Sequence, residues 1–253
     1  MSAPAIAKSR LRSGLLVPVL IVLAAFVGLI GLGSWQLDRK AWKEALIESI
    51  EHRLSADPVS IPSRADWPAL TAEADEFRRV ILLATFEPQA EALVYTASSA
   101  SRSDVSGPGY WVFAPAKLPD GATIVVNRGF VPEGQQDPAE RRPLAGPVSM
   151  IGVMRWPEPR GWFTPKHDPA HNLWFVREHR SMAEAKGWGE VAPFFVELET
   201  ASSYRSLPKP GRLTVNLRND HLHYALTWYG LAAVLAIAFA FWVKSRSGSS
   251  EAR

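Results

Sequence analysis

Asn219-Asp220-His221-Leu222-His223-Tyr224-Ala225-Leu226-Thr227-Trp228-Tyr229 runs without a break into Gly230-Leu231-Ala232-Ala233-Val234-Leu235-Ala236-Ile237-Ala238-Phe239-Ala240-Phe241-Trp242-Val243. The apolar part is about twenty residues long, which at ~1.5 Å of helical rise each crosses a hydrocarbon core of ~30 Å. The stretch predicts a transmembrane helix over 221–243 entered through a polar mouth that carries two histidines. An imidazole at such a place can bind a metal, shuttle a proton or solvate a helix end.

Helical geometry separates the pair. Positions two apart point about 200° away from each other, so His221 and His223 cannot clasp one ion from the same face. His221 shares its stripe with Tyr224, Ala225 and Trp228, a face with one nitrogen donor, one small residue and two aromatic rings. Such a face suits a flat apolar macrocycle held by an axial histidine. On the residues alone a second reading stands beside it, in which Asn219, Asp220 and His221 cap the helix in the headgroup layer.

A second apolar run, 15–33, lies near the other end of the chain, behind Lys8, Arg10 and Arg12 with no acid among residues 1–14. It exceeds the apolar core of ~7–15 residues usual in a cleaved signal peptide, and bulky Trp35 follows it where a small residue would be needed. A retained transmembrane helix is expected over 15–35. Fourteen residues leave little room for a transit peptide, so a bacterial inner membrane is the expected home. Two spans put both termini on one side, and the basic residues outside the hairpin lean towards cytoplasmic tails at 1–14 and 244–253, the latter Ser-rich and disordered. The fold class expected is therefore a membrane protein with two transmembrane α-helices flanking one β-rich, barrel- or sandwich-like extracytoplasmic domain over 36–220 that begins with an N-terminal helix.

Just past the first span, Trp35, Arg39 and Trp42 fall at i, i+4 and i+7, which places Arg39 between two indoles if the helix continues. Together with Gln36 they form an expected interface or membrane anchor, an aromatic belt being the simpler form of it. Asp57-Pro58 and Ile61-Pro62 end that helix. Small residues at Ala24 and Gly28, and at Ala232, Ala236 and Ala240, offer faces on which the two spans could pack.

Between the spans, short runs at 78–86, 93–99, 110–114, 123–130, 148–155, 173–177 and 194–197 read as strands. Gly107-Pro108-Gly109, Pro119-Asp120-Gly121 and Leu144-Ala145-Gly146 break them, and only 180–186 looks helical.

Composition excludes several functions. With no cysteine, disulfides, thiolate metal sites and thiol nucleophiles are absent. The net charge of +3 on 253 residues, without a basic run, argues against nucleic acid. Ten tryptophans and twenty prolines fit a loop-rich β domain near a membrane surface. The chain lacks a nucleophile elbow, a phosphate-binding loop, a zinc-protease helix and a dinucleotide fingerprint, so no enzyme is expected. His167 and His171 are four apart, but Pro165 and Pro169 put them in an exposed turn rather than on a helix. His52 and His179 are expected at the solvated surface.

Four stretches carry a resemblance: Gly33-Ser34-Trp35-Gln36-Leu37-Asp38-Arg39-Lys40-Ala41-Trp42-Lys43; Glu76-Phe77-Arg78-Arg79-Val80; Val126-Asn127-Arg128-Gly129-Phe130-Val131-Pro132; and 219–229 as quoted above. The chain resembles the Surfeit locus protein one family, called Shy in yeast, assembly factors for haem-copper cytochrome oxidase. The resemblance covers nearly the whole chain. Phe130 stands where the family often has tryptophan and Ala84 where it often has glycine.

The resemblance implies a two-span inner-membrane chaperone with a periplasmic domain, assisting haem a insertion into oxidase subunit I. Implied partners are subunit I, other oxidase assembly factors, haem A synthase and membrane lipid. It also implies haem a as cofactor and His221 as the axial ligand to the haem iron, with Tyr224 and Trp228 beside it. The first span holds no histidine to serve as a second ligand. The competing expectation is a haem-free scaffold that stabilises oxidase subunit intermediates. A tethered hydrolase or copper-delivery protein would need a nucleophile–base set or a His/Met cluster, and neither is visible.

Overall fold

The computed structural model describes residues 5–87, 91–97, 102, 104–140, 146–201, 207–214 and 217–248. In chain order the elements are α1 (Ala5–Ser55), β1 (Val59–Ser60), α2 (Ala72–Asp75), β2 (Arg79–Phe86), β3 (Ala92–Thr96), β4 (Gly109–Lys117), β5 (Thr123–Pro132), β6 (Pro147–Arg155), β7 (Leu173–Trp174), α3 (His179–Lys186), β8 (Val191–Ala201) and α4 (His221–Gly248). They divide into two compact units, Met1–Glu48 with Leu217–Arg253, and Ser49–Asn216. Two apolar helices thus flank a β-rich domain.

In the first unit the sequence-based boundaries need two corrections. Residues 36–48 form the expected helix, but as an uninterrupted continuation of α1 that groups with the helical unit and not with the β domain. Residues 244–248, expected to be disordered, are the last turn of α4. Ser245 Oγ donates to Trp242 O (2.8 Å) and the Arg246 guanidinium lies over the Trp242 ring, 4.7 Å from its centroid, a basic side chain where the helix dipole favours one. Residues 249–253 of that stretch lie outside the described residues. Helix α1 ends at Ser55, ahead of Asp57-Pro58 as the proline requires.

The inward stripe of α1 passes through Phe26, Leu29, Gly33, Gln36 and Lys40, and that of α4 through His221, Ala225, Trp228, Ala232 and Leu235. Steps of three and four alternate along both, the spacing of a straight helix–helix seam. Gly33, Ala225 and Ala232 are its buried small residues. Of the small-residue faces read from sequence, only Ala232 lies on the seam, while Ala24, Gly28, Ala236 and Ala240 are exposed. The other faces of both helices are apolar and uncovered, as at Ile21 (64% exposed) and Val234 (63%). A helix that is apolar all round and not buried in protein needs another apolar medium.

In the second unit the sheet runs β1-β2-β6-β8-β5-β4-β3-β7. Strand β2 also pairs with β4, through Thr85↔Lys117 and Phe86↔Ala116, so the pairings β2-β6-β8-β5-β4 return to β2 as a circuit. Inside it lies one core cluster, fed by alternate residues of every strand: Val80, Leu82, Ala84 and Phe86 of β2 point in while Ile81 and Leu83 stay exposed. Strands β4, β5 and β8 are covered on the other side too, where Phe113, Val125 and Phe195 join Trp174, Met182 and Trp188 in a second cluster. Strand β5 is consequently buried on both faces from Thr123 to Val131, including the polar Asn127 and Arg128 that interrupt its apolar sequence.

The strand at 93–99 is Ala92–Thr96, residues 98 and 99 being outside those described, and 173–177 shrinks to Leu173–Trp174. The run at 194–197 lengthens to Val191–Ala201. His179 is a correction: it is fully buried rather than solvated, because it shares an i, i+3, i+4 face of α3 with Met182 and Ala183. Its Nε2–H donates to Ala192 O (2.9 Å), and burial pushes its pKa down to about 4, with Arg180 adding to the depression.

Candidate functional site

Within the helical unit, four residues of α1 meet the start of α4. Gly33 is the point of closest approach: a Cβ there would stand 2.6 Å from Tyr229 Cε1, so only glycine admits the ring. The Ser34 and Tyr229 hydroxyls lie 3.1 Å apart in a hydrogen bond. One turn further on, His221 Nδ1 and Gln36 Oε1 are 2.7 Å apart. Lys43 Nζ donates to the carbonyl of Arg218, whose guanidinium in turn pairs with Asp220.

The hydrogen bond to Gln36 decides what the imidazole can do. A carbonyl oxygen only accepts, so Nδ1 carries the proton and Nε2 of the neutral ring keeps its lone pair. Fixing one ring nitrogen through a partner while the other stays a donor is how proteins aim histidine at a metal. Gln36, expected as part of an interface or anchor, is thus the residue that orients His221. The imidazole itself is engaged with α1; the backbone of Asp220, not His221, accepts from Tyr224 N–H (3.2 Å) at the helix start.

Around His221, Ala225 is 1% exposed and Trp228 is half-buried, both on the seam side, whereas Tyr224 lies at the flank of the stripe and is 56% exposed. His223 is exposed and turned away. Trp35, Arg39 and Trp42 project outward from α1, and Arg39 stacks on Trp42 at 4.6 Å from its centroid, the one indole contact it makes among the described residues. Asn219 Oδ1 is buried without a partner among the described residues, one step before the histidine.

Within the β domain, the structure assembles ion pairs that sequence reading missed. Arg155 donates to Glu76 Oε1 (3.1 Å) and to Glu197 Oε2 (3.3 Å), and Arg177 to the same Glu197 oxygen (3.2 Å) and to Glu158 (2.9 Å). Burial pushes Glu158 up, but the charge and hydrogen bond of Arg177 outweigh it and hold its carboxyl below the ordinary value. Arg79 grips Glu199 through two nitrogens (3.1 and 2.8 Å). Glu197 and Glu199 alternate along β8, the period-two signal that could have marked them as facing one side. Phe77, at φ 68°, sits in the left-handed region, its ring under the Arg155 guanidinium (4.7 Å). His167 accepts from Phe175 N–H (3.2 Å), and His171 is exposed and paired with Asp168 (2.6 Å), so the two do not converge. No group of three or more His, Cys, Asp or Glu able to hold a bare metal ion occurs among the described residues.

These features define a class of protein: an apolar helix towards each end, a β-rich domain between them, and one imidazole donor set into the helix pair. The SURF1 family profile matches residues 23–233, most of that arrangement. Surfeit locus protein 1 of Homo sapiens is 34% identical over 228 residues, covering 85% of this chain and 72% of the human one. The rat protein of the same name, from Rattus norvegicus, is 33% identical over 215 residues (80% and 68%), and a SURF1-like protein of Drosophila melanogaster 36% over 220 (80% and 70%). The chain belongs to the SURF1 family.

Proposed function

We propose that this SURF1-family chain is an assembly factor for haem-copper cytochrome c oxidase that handles haem a on its way into subunit I, in company with other assembly factors and haem A synthase. Its two apolar helices span a bacterial inner membrane, with both termini cytoplasmic and the β domain periplasmic. Lys8, Arg10 and Arg12 before the apolar part of the first helix and Lys244 and Arg246 after that of the second support that orientation. The role is that of a carrier or chaperone rather than an enzyme.

The observation that carries the haem reading is the 2.7 Å contact between Gln36 and His221, which leaves Nε2 free on an apolar helix pair. The donor set fits the group: one imidazole, a methyl-sized neighbour at Ala225, and aromatic surface at Trp228, with no competing cluster for a bare ion among the described residues. His221 would supply a nitrogen ligand to the iron, Gln36 would hold its tautomer and orientation, and Tyr224 and Trp228 would lie alongside. Haem a, when bound, supplies an iron that accepts one such nitrogen and a large apolar edge suited to lipid-facing surface.

Purification in detergent from cells that make haem a, followed by an absorption spectrum, tests this. A pigment that is present in the wild type and lost in His221→Ala is the expected result. An equal haem content in both removes the ligand role. A wild type free of haem, in cells whose oxidase still fails to mature without the protein, replaces it with the scaffold reading.

A further inference from the structure

The loop between β6 and β7 carries two side chains that nothing above employs. Trp162 is 101% exposed and Phe163 100%, the highest values among the large apolar residues described. The turn that displays them is fastened: Gly161 N–H donates to Thr164 Oγ1 (3.0 Å), Thr164 N–H to Gly161 O (3.1 Å), and Arg160 Nη2 to Pro165 O (2.8 Å). Its base is tied as well, by paired backbone hydrogen bonds between Asp168 and Leu173 (2.8 and 2.9 Å). The aromatic pair is thus held out in water by structure, at a hydrophobic cost that no contact among the described residues offsets.

The charges around the pair are one-sided. Arg160 and Lys166 flank it and are exposed, while the two acids of the loop are engaged elsewhere, Glu158 with Arg177 and Asp168 with His171. Aromatic rings next to basic side chains suit the headgroup layer of an anionic bilayer, where indole is favoured and Lys and Arg meet lipid phosphate. Both ends of the β domain lead into helices long and apolar enough to cross a membrane. A domain on two such tethers keeps a bilayer surface within reach at high effective concentration.

We propose that the Trp162–Phe163 loop is an interfacial anchor that inserts its two rings into the headgroup layer of an anionic phospholipid bilayer. The proposal rests on the reading of the two terminal helices as membrane spans. It gives the domain a point of attachment to the bilayer of its own, besides the two helices.

The chain has no cysteine, so single cysteines carry an environment-sensitive dye in the full-length protein, reconstituted in vesicles of phosphatidylcholine and phosphatidylglycerol. Phe163→Cys reports the loop, Gln135→Cys an exposed position elsewhere on the domain, and Val234→Cys the second helix. The expected result is a blue-shifted dye at 163, quenched by nitroxide-labelled lipid and shielded from iodide, while 135 stays iodide-accessible. Trp162→Ser in the 163 background returns the dye to water. An iodide-accessible dye at 163 overturns the anchor, and the response at 234 separates the causes: lipid quenching there means that the spans hold and the loop alone fails, none means that the spans fail too. Shielding at 163 that appears only in native membranes, not in pure lipid, also overturns it and assigns the rings to a protein partner.

Discussion

Gln36 of the first apolar helix and His221 of the second are joined by a 2.7 Å hydrogen bond between groups 185 positions apart in the chain. The consequence is chemical rather than mechanical, because a single acceptor determines which nitrogen of the ring is free. Gln36→Leu removes the acceptor and leaves the donor. We expect haem retention to fall about 10-fold, the usual effect of losing a residue that orients a metal-binding histidine. Gln36→Glu restores an acceptor and is expected to recover most of it. Haem titration of the purified variants reads both, and equal affinities in wild type and Gln36→Leu would remove the orienting role.

Gly33 and Tyr229 form the tightest point between the helices. Gly33→Ala sets a methyl 2.6 Å from the ring, which must turn away and give up its bond to Ser34. Tyr229→Ala alone opens a gap, and the double variant has room again. A double-mutant cycle on thermal unfolding in detergent should give a favourable coupling of roughly 1–2 kcal/mol, in the range for residues in direct contact.

Glu197 bridges two arginines of the β domain, since Arg155 and Arg177 both donate to its Oε2 and its side chain is 3% exposed. Glu197→Ala takes one carboxylate from each of two guanidinium groups, which keep Glu76 and Glu158, and should cost about 1–3 kcal/mol of stability. Glu197→Gln keeps an acceptor and should cost less. Denaturant unfolding of the full-length variants, followed by tryptophan fluorescence, ranks them.

His179 makes the domain sensitive to acid. Its folded pKa of about 4 lies below the ordinary 6.5 because the ring is buried, and its Nδ1 has no partner among the described residues to receive a proton's hydrogen bond. The neutral form is the folded one, so its contribution is complete above pH 6.5, declines as the unfolded chain takes up the proton, and is gone near pH 4. It amounts to about 3 kcal/mol. His179→Gln should flatten the fall in unfolding temperature between pH 6.5 and 4; an unchanged slope would mean that another group titrates there.

Much of this architecture was legible beforehand. The two apolar runs and the short apolar run at 78–86 are one-dimensional patterns that the sequence reports directly, whereas which residues of that run face inward is not, since Ile81 and Leu83 are as apolar as Val80 and Leu82. What stayed hidden had partners far away in the chain. Glu197 and Glu199 ended the apolar run of β8 early in the sequence reading, because a charge in a strand counts as solvent-facing until its arginine is located. The seam between the helices passes through Gln36 and Lys40, polar residues that a search for small apolar faces overlooks, so Ala24 and Gly28 were favoured in place of Gly33. His179 had its signal, Met182 and Ala183 on the same face of a short helix, which the flanking Glu178 and Arg180 masked. His221 stood out in the sequence, but its partner did not, since nothing in one dimension pairs position 36 with 221.

The sheet begins and ends in stubs: β1 and β7 are two residues each, paired in parallel with β2 and β3. Neither leaves a length of unpaired backbone on which a foreign strand could extend the ladder. Among the described residues, copies crowded together in one layer therefore meet only these short edge strands, which disfavours growth of one sheet onto another at high local density.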